Sequence, residues 1–590
     1  MLADLCCSGD NVHEMASPAR SSSPNVCVVD KGKLQFGVLD TSLRRATSVV
    51  RRLLNGMRPI NRLPTEILLD IFSLVPRKRP FLKGMSATIW PFFVPNIDDL
   101  RAASQVCTRW REVALGAPAL WSAYREDYVY RRSITLYSLY LARCPTGPID
   151  IYVNDSFSRV KQLLLERGHQ VRQLHVEIGG GRDEDARQLV ATLPNMTADV
   201  LEHCSLLLPP VAYARLQQSS SLCRHGTATR LRSLFLSVTR VLPQWELPSL
   251  IRCVLSEWQG RSEAIDPSSL LTFLSGTPNL EILHLEKITV SPFQQTPPPQ
   301  QQIPLTRLRY LSYTPSSGII SLDFLLHILR PSRCQLDIDG VELDRIFWGD
   351  VQNAVRTLHG AALPTKMGIH VRRQIFGTAH VSLELARGAS PDWSGCTRIQ
   401  FKPFSNTAQF WRSLLTPDFC AEVEEVRVDI TGYCEDGTAM ELAAIPIWPL
   451  FVKIRELSLA FRWDATKNEY LRNVRSALEL LFPQSDALAV RPCLDTLNVY
   501  VDVGDAGVIQ YFADFLAART ARGRRVRRFV LGGPEDPPLG VARLMEHVDE
   551  FFWLEYEDPS EDWMDIGWPV PIDRDDGSAL IGADWPTWIS

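Results

Sequence analysis

Two hydrophobic rhythms divide this chain. Up to Trp121 the apolar residues keep a helical beat, and beyond it they keep the beat of short strands. Ile67, Leu68, Ile71, Phe72 and Val75 fall at i, i+1, i+4, i+5 and i+8, one wide stripe along a helix. Pro64 stands at its first turn, where the N–H that proline lacks would have no partner, and Glu66 there favours the helix dipole. A further helix is expected over Leu100–Leu115, capped by Asp98 or Asp99 and stopped by Gly116 and Pro118. Upstream, Leu43, Val50, Leu53, Leu54 and Met57 share roughly one helical face. The same stretch, Leu43–Arg62, holds six arginines and no acid. It reads as a lead-in helix with solvated arginines, the sharper alternative being a nuclear-import or anionic-surface segment. Residues 1–40, rich in Ser, Pro and Gly without a period, read as a disordered lead.

After Trp121 the recurring phrase is apolar-x-x-apolar-x-apolar. Val171–Val176, Leu231–Leu236, Leu280–Leu285, Val423–Val428, Ile454–Leu459 and Leu494–Val499 carry it clearly. Fainter copies lie at Leu308–Leu311, Leu336–Ile338, His380–Leu385, Cys396–Phe401 and Val526–Leu531. Helical stretches such as Leu270–Leu274, Leu322–Leu329, Val474–Phe482 and Val508–Ala518 fall between them. Strand–helix units that cannot bury their own apolar face must stack on neighbours, which predicts a leucine-rich-repeat-like αβ solenoid over 126–548. The spacing is irregular: Leu457 to Leu497 is 40 residues, against about 20–29 in regular repeats. A compact α/β domain with a parallel sheet is the competing architecture. From 549 to 590 twelve acids stand against Arg574 alone, with five tryptophans, which predicts a cap over the last repeat or a binding tail.

Two motifs carry the strongest functional signal. Leu63-Pro64-Thr65-Glu66-Ile67-Leu68 opens the first helix, and Val106-Cys107-Thr108-Arg109-Trp110-Arg111 runs through the second. Together they resemble an F-box, and the run Leu53–Arg62 is similar to the lead-in of the large F-box-like families of fungi. The resemblance covers Leu63–Val75 and Leu100–Trp121, with an insertion at about 76–97 where the family has a short loop. The expected module is 41–125. The family likeness implies that Leu63, Pro64, Ile67, Leu68, Ile71, Phe72, Leu100, Val106, Cys107 and Trp110 form or support a face for a Skp-type adaptor, and through it a cullin. Physics points the same way: a segment this small buries only about 60% of its unfolded surface, yet it carries many large apolar residues.

At 590 residues the chain exceeds one ordinary core, so several domains or a solenoid are expected. A net charge of −4 predicts no nucleic-acid partner. Thirteen cysteines without a Cys-x-x-Cys suit a reducing compartment, most of them as small buried residues. The first ten residues lack the regions of a signal peptide, and no apolar run nears membrane-spanning length, so a cytoplasmic or nuclear protein with no membrane partner is expected.

A search for chemistry returns little. Gly179-Gly180-Gly181 follows a strand, but Glu184 replaces the third glycine of a dinucleotide loop, and Asp183, Glu184 and Asp185 would repel phosphate. Arg522, Arg524, Arg525, Arg527 and Arg528 form one anion-binding candidate, more simply a solvated edge. No catalytic residue, metal site or cofactor is expected. The likeness implies a non-catalytic substrate-recognition subunit of a cullin-type ubiquitin ligase, whose repeats hold an unknown protein substrate. Candidates for that surface are Arg172, Gln173, His175, Arg232, Ser233, Phe235, Glu424, Glu425, Arg427, Asp495, Thr496 and Asn498. An F-box scaffold outside ubiquitin transfer and an α/β enzyme with a non-local site are the alternatives.

Overall fold

The computed structural model describes residues 26–76, 78–80, 93–127, 142–154, 157, 160–179, 182–208, 223, 228–237, 242, 245–257, 264–291, 302–315, 323–329, 331, 334–341, 364–373, 379–386, 396–404, 415–432, 451–462, 494–501, 506–533 and 540–555. The helical stretch expected at Val474–Phe482 and the tail from 556 lie outside them. Contacts divide the chain into two compact units, 1–76 with 98–117, and 77–97 with 118–590.

The first unit is helical. Helix α1 runs Val26–Met57, so the chain is already helical inside the segment expected to be disordered to residue 40. The last proline of the lead is Pro24, and none follows until Pro59, whose ring cannot continue a helix. There the chain tightens into a 3-10 turn, Pro59–Arg62. Helix α2 (Thr65–Leu74) begins directly after Pro64. Helices α3 (Ile97–Ser104) and α4 (Thr108–Gly116) follow, with Asp98 and Asp99 in the first turn of α3. In the second unit, the ends of the insertion, Lys78–Pro80 and Phe93–Pro95, pair as antiparallel strands with Lys78 opposite Pro95.

The second unit is a strand-rich α/β arrangement. Its strands are β1 (Ala123–Asp127), β2 (Ile149–Asn154), β3 (Val171–Glu177), β4 (His203–Leu207), β5 (Ser233–Ser237), β6 (Arg252–Ser256), β7 (Ile282–Glu286), β8 (Tyr310–Thr314) and β9 (Gln335–Val341). They continue as β10 (Lys366–Arg373), β11 (Ala379–Ala386), β12 (Thr397–Phe404), β13 (Glu425–Gly432), β14 (Glu456–Arg462), β15 (Thr496–Val501), β16 (Val526–Gly533) and β17 (Val548–Glu555). Strands β1 to β9 pair in succession, all parallel. β9 then pairs with β12, β12 with β11 and β11 with β10. β10 pairs with β13, and β13 to β17 run in succession, again parallel. Among β1 to β17, only the contacts of β11 are antiparallel. No pairing joins β17 to β1 among the described residues, so the sheet is open and not a barrel.

The local reason for this regularity is a turn that precedes many of the strands. Leu231 N–H bonds to the Ala228 carbonyl, Leu250 to Leu247, Leu280 to Thr277, Leu308 to Leu305 and Val423 to Cys420, each three residues back. Two successive N–H groups then share one carbonyl of the preceding unit. Arg232 and Ser233 donate to Glu202, Ile251 and Arg252 to Arg232, Arg309 and Tyr310 to Glu281, and Arg527 and Arg528 to Asp495. This satisfies the backbone at the bend and fixes the register of the next strand.

Apolar positions of neighbouring strands form continuous rows. Leu174, Cys204, Leu234, Cys253, Leu283, Leu311 and Leu336 are in register, and all are buried. Helices Val160–Arg167, Asp183–Thr192, Pro267–Ser275 and Ala506–Ala521 lie between strands and bury residues such as Leu164, Leu189, Phe273 and Phe512. The stretch Leu322–Leu329 is shorter in helix than the pattern expects: Asp323–Leu326 is helical and Ile328–Leu329 is extended.

Candidate docking module and polar sheet face

Cys107 caps α4 with its sulfur, which accepts from the Trp110 N–H at 3.4 Å, and its thiol points at Asn61 Oδ1, 3.7 Å away. Arg109, the next residue but one, reaches back to the 3-10 turn. Its Nη1 donates to the Asn61 carbonyl at 2.6 Å, and its Nη2 donates to the Leu63 carbonyl. Trp110 then meets Phe72 edge to face, with centroids 5.2 Å apart. The two motifs thus meet in space: the second clamps the start of the first through backbone carbonyls and packs on its helix.

That packing splits the α2 stripe. Leu68 and Phe72, one helical turn apart, are fully buried, as is Leu100 on α3. Ile67 and Leu74, seven residues apart on the other side of α2, are 44% and 59% exposed, with Ile71 half-buried between them. Val106 is 56% exposed, Pro64 is exposed, and Leu63, Cys107 and Trp110 are half-buried. The ten residues of the family likeness therefore comprise an interior that sets the helix angle and exposed apolar side chains that nothing among the described residues of this unit covers. Arg109 and Asn61 belong to the module although the motif reading passed over them. The signal for Arg109 was its place inside Cys-x-x-Trp, where a long donor one turn into α4 faces the preceding turn.

Residues 60–125 match the family model described as F-box-like. This segment is an F-box-like domain. Curated proteins give no match to the chain. An F-box-like domain points to a role in adaptor docking. No helix among the described residues is long and apolar enough to cross a membrane.

On the sheet unit, the residues proposed as a substrate surface fall in two places. Gln173, His175, Ser233, Phe235, Glu425, Arg427, Thr496 and Asn498 alternate with the apolar rows and share the opposite face. Registry there runs Tyr152, His175, Ser205, Phe235, Val254, His284, Ser312 and Asp337, then Arg398 and Glu384. The Tyr152 and His175 rings stack 5.1 Å apart, Tyr152 OH donates to Gln173 Oε1 at 3.3 Å, and Tyr310 OH donates to Asp337 Oδ2 at 3.3 Å. Arg398 pairs with Glu384 at 2.8 Å, Lys366 with Glu425 at 2.8 Å, and Asn498 donates to Glu456 and Ser458, each at 3.0 Å. Much of this face is buried: His175, Ser205 and Ser233 have no exposed surface. Burial holds the imidazoles of His175 and His284 down to about 3, with Arg252 adding to the effect at His284. Burial also lowers His203, and raises the Asp150 carboxyl against the pull of Arg172. Neutral histidines locked in a ladder of paired groups organise a sheet and are poor proton shuttles.

Arg172, Arg232, Glu424 and Asp495 sit elsewhere, at the start of the strand for Arg172 and on the residue leading into it for the other three. They belong to a rim whose charge alternates in runs, interrupted at Ile251, Gln335 and Thr365. Arg172, Glu202 and Arg232 follow one another, as do Glu281 and Arg309, and then Glu424, Arg455, Asp495 and Arg527. Most of this rim is exposed. Among the basic run, Arg525 pairs with Asp549 at 3.2 Å and donates to the Val548 carbonyl at 2.6 Å, while Arg528 lies over the Phe552 ring. Among the described residues no group of His, Cys, Asp and Glu is placed to hold a metal. Cys107, Cys144, Cys204, Cys223, Cys253, Cys334, Cys396 and Cys420 are free thiols and, Cys107 aside, buried; burial pushes the Cys223 thiol up to about 12, far from a reactive thiolate.

Proposed function

We propose that this chain is the substrate-recognition subunit of a cullin-type ubiquitin ligase, its F-box-like domain docking a Skp-type adaptor and its sheet unit, a leucine-rich-repeat-like solenoid, holding a protein substrate. The observation that carries the reading is the exposed apolar surface on α2 and on the turns just before α2 and α4. Pro64, Ile67, Leu74 and Val106 leave apolar surface open on a module whose interior is already filled by Leu68, Phe72, Leu100 and Trp110. Such a surface has a reason to exist when a second protein covers it. In this reading the buried residues support the face, and Leu63, Pro64, Ile67, Ile71 and Val106 touch the adaptor. The exposed, charge-alternating rim of the sheet is the substrate surface, since the row behind it is buried. The protein breaks no bond: it holds a substrate lysine near a charged conjugating enzyme, raising its effective concentration.

The test is adaptor binding by the full chain carrying Ile67→Asp with Val106→Asp. Affinity for a purified Skp-type adaptor is expected to fall at least about thirtyfold, the scale of a central interface contact, with the thermal melt unchanged. Unchanged binding by a folded variant overturns the assignment.

A further inference from the structure

Helix α1 spans 32 residues, and from Phe36 onward its side chains are exposed except for half-buried Asn55. Seven of its apolar residues keep three-four alternation, Phe36, Leu39, Leu43, Ala46, Val50, Leu53 and Met57, with Ile60 next in step, while Val38, Val49 and Leu54 fall outside it. This is a period of 3.5, not the 3.6 of a straight helix. A stripe of that period stays aligned along its length only by winding about another helix. Apart from Ala46, these residues on α1 are 55–74% exposed. The F-box helices do not supply the cover. Arg44, Ser48, Arg51 and Asn55 line a groove of about 1070 Å³ with residues of the Gln105–Glu112 stretch, which turns the opposite side of α1 outward. Leu43 alone of the stripe reaches that groove.

We propose that α1 is one strand of a two-stranded coiled coil whose other strand is α1 of a second copy of this chain. The flanks of the stripe favour this occupant. Asp40, Ser42, Thr47, Val49, Leu54 and Gly56 border it, and the one charge among them, Asp40, is paired with Arg44 at 2.8 Å. Two copies therefore meet without like charges facing each other. Arg44, Arg45, Arg51, Arg52 and Arg58 lie on the far side of the helix, outside the seam, where they neither repel a second copy nor recruit an acidic partner to it. Val50 and Leu53, at the two alternating core positions, are the β-branched and γ-branched pair that suits two strands. At about 60–120 Å² for each large side chain, the stripe and its neighbours Val49 and Leu54 bury on the order of 1,000 Å² over two copies, the lower bound for a specific interface.

Sedimentation equilibrium of the full chain in the micromolar range is expected to give twice the chain mass. Leu43→Asp with Leu53→Asp is expected to return it to the chain mass with the unfolding transition of the sheet unit unchanged. Ala46→Leu, which adds a core side chain without removing any, is expected to tighten dimerisation at least about tenfold. Arg45→Glu, off the seam, is expected to change neither mass nor affinity. The proposal is overturned by a wild-type chain at single mass, by a dimer that survives the double substitution, or by an Ala46→Leu chain no tighter than wild type. It is equally overturned if the monomeric chain floats with phosphatidylserine-containing vesicles and the double variant does not, for then a lipid surface covers the stripe.

Discussion

Arg109 and Trp110 show how a few side chains decide the shape of the docking module. Arg109 spends two donors on carbonyls of the turn before α2, so Arg109→Ala is expected to cost about 1.5–3 kcal/mol, read as a lower denaturation midpoint. Arg109→Lys cannot span both carbonyls as a planar fork does, and is expected to recover at most part of that. Trp110 packs on Phe72, yet its buried Nε1 meets no acceptor. Trp110→Ala is therefore expected to cost about 3–5 kcal/mol, while Trp110→Phe, which keeps the ring contact and removes the stranded donor, is expected to cost about 1 kcal/mol. In the sheet unit, the buried histidines predict a pH response. An unfolded imidazole binds a proton below about 6.5, whereas His175 and His284 do so only near about 3. Their contribution is complete above pH 6.5 and declines as pH falls through that window, by up to about 1.4 kcal/mol per pH unit for each. Urea midpoints measured from pH 7 to pH 5 should fall, and His175→Phe, which keeps the stack on Tyr152, should flatten the slope.

For single elements, α2 explains what sequence alone reveals and what it leaves open. Its apolar pattern at i, i+1, i+4 and i+5 specifies a helix, but not which half of the stripe faces inward. Trp110, 38 residues from Phe72, makes that choice. Leu68→Ala is accordingly expected to lower the melting midpoint of the helical unit, whereas Ile67→Ala should leave it within the few tenths of a kcal/mol typical of surface changes. The strands tell a similar story. The phrases at Val171, Leu231, Leu280, Val423, Ile454 and Leu494 lead into strands because apolar alternation is a local property. The order of β10, β11 and β12 was hidden because pairing partners far apart in sequence decide it. The burial of His175, Ser205 and Ser233 was equally hidden, since a polar residue between two apolars normally marks a wet face.

At the scale of the whole molecule, the sheet, open among the described residues, ends at β1 and β17, and each edge must be kept from pairing with strangers. β17 covers β16 along Val526–Gly533 and is tied there by Arg525 to Asp549. Ending the chain before Val548 uncovers the apolar strand around Phe529, Val530 and Leu531, so that truncation is expected to aggregate, measured by light scattering against the intact chain. The charged runs of the rim work the same way: Arg232 meets Glu202 of the preceding unit, and reversing Arg232 to Glu should cost a few tenths of a kcal/mol. A last consequence comes from the short clasp of Lys78–Pro80 on Phe93–Pro95. Because Pro80 stands opposite Phe93, the chain leaves and re-enters this clasp about one strand spacing apart. That makes the position a natural grafting point, where an epitope or fluorescent reporter can be spliced in and adaptor capture followed in cells without touching either terminus.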